Sequence, residues 1–240
     1  MRWSISIFFA LVLFQSCRDK GTATTLPPES SERREKQVAV NLEKLKRTAR
    51  DGDLIVRLND DFVSEQLRFF NEEDKSFSHS GIIITKNGLK TVCNILPGNS
   101  GRNPVVYTPI DSFLNPQTNS SCGLFRYRLP PDELGAFVNE INAHVNREIY
   151  FDSVINMATN DSLYCSEMIY KSMKFATNGR ISFRLNTVPK KMQPTLFLFY
   201  RGRLSKDDIA KRQVIFIDNL YRIPECKELM RFRLKYFPGT

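Results

Sequence analysis

The chain has 240 residues and a mass of 27.8 kDa, room for one sizeable domain with appendages. Hydrophobic residues make up 41% and charged residues 25%, which excludes a disordered chain, a collagen-like repeat and a multi-span membrane protein. Lys and Arg exceed Asp and Glu, 35 to 26, for a net charge of +9; this suits nucleic acid, anionic lipid or cell-wall polymer without choosing among them. Five cysteines and two histidines are too few and too scattered for a disulfide scaffold or a zinc ribbon.

Arg2 supplies a short positive start, and Trp3 to Phe14 is almost wholly apolar. That is the length of a signal-peptide core, too short to cross a bilayer unaided. Phe14-Gln15-Ser16-Cys17 follows. A small residue and then cysteine straight after the apolar run resembles a bacterial lipobox, with Phe14 where leucine is usual. The resemblance implies removal of residues 1–16, lipidation of Cys17 and an exported protein on a membrane anchor, periplasmic or at the cell surface. Residues 17–34, rich in Gly, Thr, Pro and Ser, read as a flexible tether. Residues 35–240 remain as a single domain.

Val38, Leu42 and Leu45 recur at helical spacing between Glu35 and Arg50, predicting an amphipathic helix. Asp51-Gly52-Asp53 breaks it, and Leu54 to Leu58 reads as a buried strand. Val63 to Phe70 is a short helix. Ser76 to Thr85 and Leu89 to Leu96 are strands joined by Asn87-Gly88, a strong hairpin turn signal. Val105 to Tyr107 is a short strand, Ile110 to Leu114 a turn of helix, and Cys122 to Leu129 a further strand. Pro130-Pro131-Asp132-Glu133 opens a helix that runs to about Val145. Leu163 to Phe175 is helical, and Thr195 to Tyr200 and Val214 to Ile217 read as late strands. The pattern is α+β, an antiparallel sheet packed against helices.

Two histidines keep the search for chemistry short. His144, near the end of a helix among Asn142, Asn146 and Arg147, reads as a solvated residue at the helix terminus. His79 lies in Phe77-Ser78-His79-Ser80-Gly81-Ile82, in a strand heading into the core. Cys165 lies in Asp161-Ser162-Leu163-Tyr164-Cys165-Ser166-Glu167; with Asp161 or Ser162 as N-cap it falls in the first helical turn, where free N–H groups favour a thiolate. Taken alone, each is also an ordinary core residue. A two-residue turn at Asn87-Gly88 sets Gly81 opposite Asn94 and puts Asn94 on the face of His79, as its diagonal neighbour, whereas a bulged three-residue turn flips the parity and presents Thr91 and Cys93 instead. Among the residues that the two-residue turn presents, Asn94 is the compact neutral group able to accept an imidazole N–H. Cys93, Cys122 and Cys226 remain, and two of them could pair in an oxidising compartment. No metal or other cofactor is expected, since His79, His144, Cys93 and Cys165 show no short ligand spacing.

Gly52-Asp53-Leu54-Ile55, Ser78-His79-Ser80-Gly81-Ile82, Tyr150-Phe151-Asp152 and Tyr164-Cys165-Ser166-Glu167-Met168 together resemble the permuted NlpC-like cysteine hydrolases, the YiiX/YebB-like branch. The match runs from about Asp51 to Met173. It implies a circularly permuted papain-like fold, with Cys165 as nucleophile and His79 as base. Asn94 takes the third position, often acidic in that branch, and Tyr164 and Glu167 become candidate substrate-binding residues. With export, the resemblance points to hydrolysis of amide bonds in cell-wall (peptidoglycan) peptides. Acyl-lipid hydrolysis or transfer on the same pair is the second reading, and a non-catalytic binding module the third. Nucleic acid is not an expected partner.

Overall fold

The computed structural model describes residues 28–96, 103–153, 155–199 and 204–235. Its strands are β1 (Leu54–Asn59), β2 (His79–Lys86), β3 (Leu89–Ile95), β4 (Val105–Pro109), β5 (Asn119–Tyr127), β6 (Tyr150–Phe151), β7 (Ser162–Leu163), β8 (Asn186–Thr187), β9 (Gln213–Val214) and β10 (Cys226–Arg233). Its α-helices are α1 (Pro28–Thr48), α2 (Phe62–Arg68), α3 (Ile110–Phe113), α4 (Pro131–His144), α5 (Cys165–Ala176), α6 (Gln193–Phe199) and α7 (Lys206–Lys211). Six strands form one sheet in the order β10-β5-β1-β2-β3-β4, antiparallel at every pairing. Two short pairs lie apart, β6 with β7 and β8 with β9.

The sheet is covered on both faces, which is why β1 reads as a nearly unbroken apolar run. Successive side chains point to opposite faces. Leu54 and Val56 join Ile82, Ile84, Cys93 and Ile95 in a core completed by Phe137 and Ile141 of α4 and Met168, Ile169 and Met173 of α5. Ile55 joins Ile83, Val92, Cys122 and Leu124 in a second core under Val38 and Leu45 of α1 and Ile110 and Phe113 of α3. The β2–β3 turn has Asn87 at φ 50° and Gly88 at φ 75°, the two left-handed residues of a tight hairpin. It fixes the register Lys86↔Leu89 through Gly81↔Asn94.

The Gly52-Asp53 block serves this frame. Gly52 sits at φ +84°, and a Cβ there would lie 2.5 Å from Leu134 Cδ1. The buried Asp53 carboxylate accepts Arg126 Nε and Nη2, both at 2.7 Å, and the Arg50 N–H at 2.8 Å, tying β1, β5 and the end of α1 together.

Several elements depart from the sequence reading. Helix α1 begins at Pro28 rather than Glu35, so residues 28–34, read as tether, are helical; from Ser31 on, the first buried side chain is Val38. The signal segment and Cys17 lie outside the described residues. Residues 195–199, expected as strand, belong to α6. A short apolar run does not distinguish helix from strand, and Pro194 fits a helical first turn. Of the strand expected at 214–217 only Val214 is paired, with Asn186. Strand β10 was not anticipated: its half-exposed, charge-rich sequence is that of a sheet edge. Among the described residues no helix is long and apolar enough to cross a membrane.

Candidate active site

Cys165 is the first residue of α5. The residue before it, Tyr164, is the N-cap in extended conformation, in place of Asp161 or Ser162. Ser162 is instead in β7, which runs parallel to β6 and delivers the chain to the helix start. Three contacts hold the residues around Cys165. The Glu167 carboxylate accepts the Tyr164 N–H at 3.3 Å, the Ser166 hydroxyl donates to Ile215 O at 2.8 Å, and the Tyr164 hydroxyl accepts the Ile215 N–H at 2.9 Å. The backbone of Ile215 is thus gripped from both sides of the cysteine.

His79 opens β2. Its Nε2 lies 3.2 Å from Asn94 Oδ1. Asn94 is fully buried, and its Nδ2 donates to Val92 O at 3.0 Å and to Thr108 Oγ1 at 2.9 Å. Because Val92 O can only accept, the amide cannot be turned round, and Oδ1 must face the ring. An amide oxygen only accepts, so Nε2 carries the proton and Nδ1 keeps its lone pair. The Phe113 ring, 5.7 Å away centre to centre, flanks the imidazole. The sequence places Asn94 beside His79, and the structure shows them hydrogen-bonded.

The Cys165 thiol rests against Ser80, the residue after His79. Its polar neighbours include the Ser80 hydroxyl and N–H and the helix-start N–H groups of Cys165 and Ser166. The buried Ser80 hydroxyl has no regular hydrogen-bond partner; the sulfur is its polar contact. Burial pushes the thiol up, and these donors pull it partly back. The helix terminus therefore acts in the direction expected from sequence, but desolvation outweighs it. His79 is lowered to about 4, first by burial, then by the Arg57 charge, against the opposing Asn94 hydrogen bond. At neutral pH the resting pair is a neutral thiol and a neutral imidazole.

Tyr164 and Glu167 both make contacts that hold the start of α5. Glu167 is fully buried, 2.8 Å from Lys171 Nζ, and burial raises it to about 7. Tyr164 is occupied with Ile215. Both position the start of α5. His144 is not solvated: it is 5% exposed, with Nε2 3.0 Å from Ser172 Oγ, and it joins α4 to α5. Cys93, Cys122, Cys165 and Cys226 are all free thiols; Cys93 and Cys122 lie in the cores on opposite faces of the sheet.

Sequence reasoning missed two contributors. Ser80 gave no signal beyond its place next to His79. Arg57 did: it is a cation inside an otherwise apolar strand. It also missed the role of the C-terminal segment. Asp218, fully buried, accepts the N–H groups of Glu72, Glu73 and Asp74 at 3.0, 2.8 and 3.1 Å, and the Ile217 N–H reaches Asn71 Oδ1 at 3.2 Å. Residues 215–218 therefore clasp the loop leading to His79 onto the start of the cysteine helix.

No family model matches the chain, and no curated protein matches it. Among solved structures it is similar to the metalloprotein YiiX (DUF1105) from Escherichia coli O157:H7, with a TM-score of 0.60 and 16% identity over 77% of this chain and 98% of that one. The fold is YiiX-like. The metal in that protein's name finds no matching donor set here: among the described residues no three His, Cys, Asp or Glu side chains come together to hold an ion.

Proposed function

We propose that the protein is a cysteine hydrolase of amide bonds, with Cys165 as nucleophile, His79 as base and Asn94 as the residue that orients the ring. The observation that carries the reading is the fixed Asn94 amide, which commits Nε2 to the proton and leaves Nδ1 as the basic atom. In the reaction Nδ1 takes the thiol proton as sulfur attacks the carbonyl, then returns it to the leaving amine; water releases the acyl group by the reverse sequence. The N–H groups at the start of α5 and on Ser80 that act on the sulfur support a role as donors to the developing oxyanion. Because the resting pair is neutral, charge separates only as the carbonyl is attacked.

The histidine strand precedes the cysteine helix in the chain, the order of a circularly permuted papain-like fold. The N-terminal Arg2, apolar run and Cys17 support an exported, membrane-anchored enzyme, and the net charge of +9 suits an anionic wall. Cell-wall peptides are accordingly the proposed substrate. Acyl-lipid chemistry is favoured by one observation, the exposed apolar side chains Phe62 (78%), Val63 (60%) and Leu67 (46%) on α2. Incubation with wall peptides and with acyl lipids, followed by mass spectrometry of the intact protein, tests both. The expected result is a peptide acyl group on Cys165 and none on Cys165→Ala. Peptide hydrolysis by Cys165→Ala at the parent rate overturns the assignment.

A further inference from the structure

Arg57 is the one charged residue of β1 and the cross-strand partner of His79. Its guanidinium carbon lies 4.3 Å from the centre of the Phe113 ring, the ring that also flanks the imidazole. Nη1 donates to Phe113 O at 2.7 Å, while Nε is buried without an acceptor. Among the described residues no carboxylate forms an ion pair with it. Asp61 acts on it only through space, and so does Cys165. A guanidinium held partly out of water without a counter-ion is costly. Its planar fork of five donors, of which Nη1 bonds Phe113 O and Nε has no acceptor among the described residues, matches a carboxylate.

We propose that Arg57 is a specificity-determining residue, receiving a carboxylate carried by the substrate close to the scissile carbonyl. Its substrate class, a peptide with a free acid group beside the cleaved amide, rests on the hydrolase reading. Docking also has a consequence for the reacting groups. The same charge disfavours protonation of His79. A bound carboxylate neutralises it, so the ring becomes a better base only when an acidic substrate is in place.

The test uses two electrophiles of nearly the same size, iodoacetate and iodoacetamide, with alkylation of Cys165 in the folded full-length chain followed by peptide mass spectrometry. The iodoacetate-to-iodoacetamide rate ratio is expected to be about tenfold higher at Cys165 in the folded parent than in the urea-unfolded chain, the size of a partly buried charge interaction. Arg57→Gln returns it to the unfolded value, and Arg57→Lys, which keeps the charge, retains part of the preference. Melting curves identify which variants are folded. Equal ratios in folded and unfolded parent, or an unchanged ratio in folded Arg57→Gln, overturn the inference. If the preference stands while no peptide is hydrolysed, the hydrolase reading fails and the anion site survives. A Cys165 that neither reagent reaches sinks both.

Discussion

Replacing Asn94 by Ala separates the two things this side chain does. It removes the acceptor 3.2 Å from His79 Nε2 and the donors to Val92 O and Thr108 Oγ1 at 3.0 and 2.9 Å. At about 1 kcal/mol for each neutral hydrogen bond, the loss of stability is about 3 kcal/mol, or about 6–12 °C in melting temperature for a domain of this size. The effect on turnover is a separate quantity. In the resting site the Nε2–H bond joins neutral partners; in the transition state of the proposed reaction the ring is an imidazolium, and a charge-assisted bond is about twice as strong. Only that difference, about 1–1.5 kcal/mol, lowers kcat, which corresponds to about tenfold. Paired melting curves and peptide-hydrolysis rates on parent and variant read both quantities. A variant that melts lower as expected yet hydrolyses peptide at the parent rate refutes the claim that Asn94 orients the base.

Gly81→Ala drives a Cβ into Val92 Cγ1 and places it 2.8 Å from Cys93 O and 3.0 Å from Asn94 Cβ. The carbonyl cannot yield without opening the β2–β3 seam, so a loss of about 1–3 kcal/mol with a fall in kcat is expected; a melting temperature equal to the parent's counts against the register. Stability should also fall on mild acidification. His79 and His144 are both lowered to about 4 from an ordinary 6.5, so the unfolded chain binds two protons that the folded chain refuses between those values, and stability present above pH 6.5 is lost toward pH 4. Glu167, raised to about 7, has the opposite sign and offsets one of the two. The net slope is at most about 1.4 kcal/mol per pH unit, less because half-buried His79 is partly screened by solvent. A melting temperature that is flat or rises from pH 6.5 to 4.5 contradicts these charge states.

The pairing of His79 with Asn94 was legible because Asn87-Gly88 is a turn with fixed parity, and parity alone decides which residues share a face. Cys165 in the first turn of a helix was legible, with Asp161 or Ser162 taken as its cap. Its N-cap was not, since Tyr164 is held by Ile215, fifty-one residues on, and no local pattern carries that contact. The protonation states were hidden for the same reason. They follow from burial, for His79 beside Phe113 and Asn94, and burial is a property of packing. The edge strand β10 escaped because Lys227, Glu228, Arg231 and Arg233 dilute its apolar residues, and α6 because Leu196 to Phe199 is too short for a periodicity to show.

The clasp formed by Ile215 and Asp218 has a consequence in time. A ribosome delivers the histidine ribbon and the thiol well before it delivers these residues, so a nascent or prematurely terminated chain carries both reactive groups without the fastening that aligns them. The seating of the His79 loop against the start of the cysteine helix is completed only once residues 215–218 have been made.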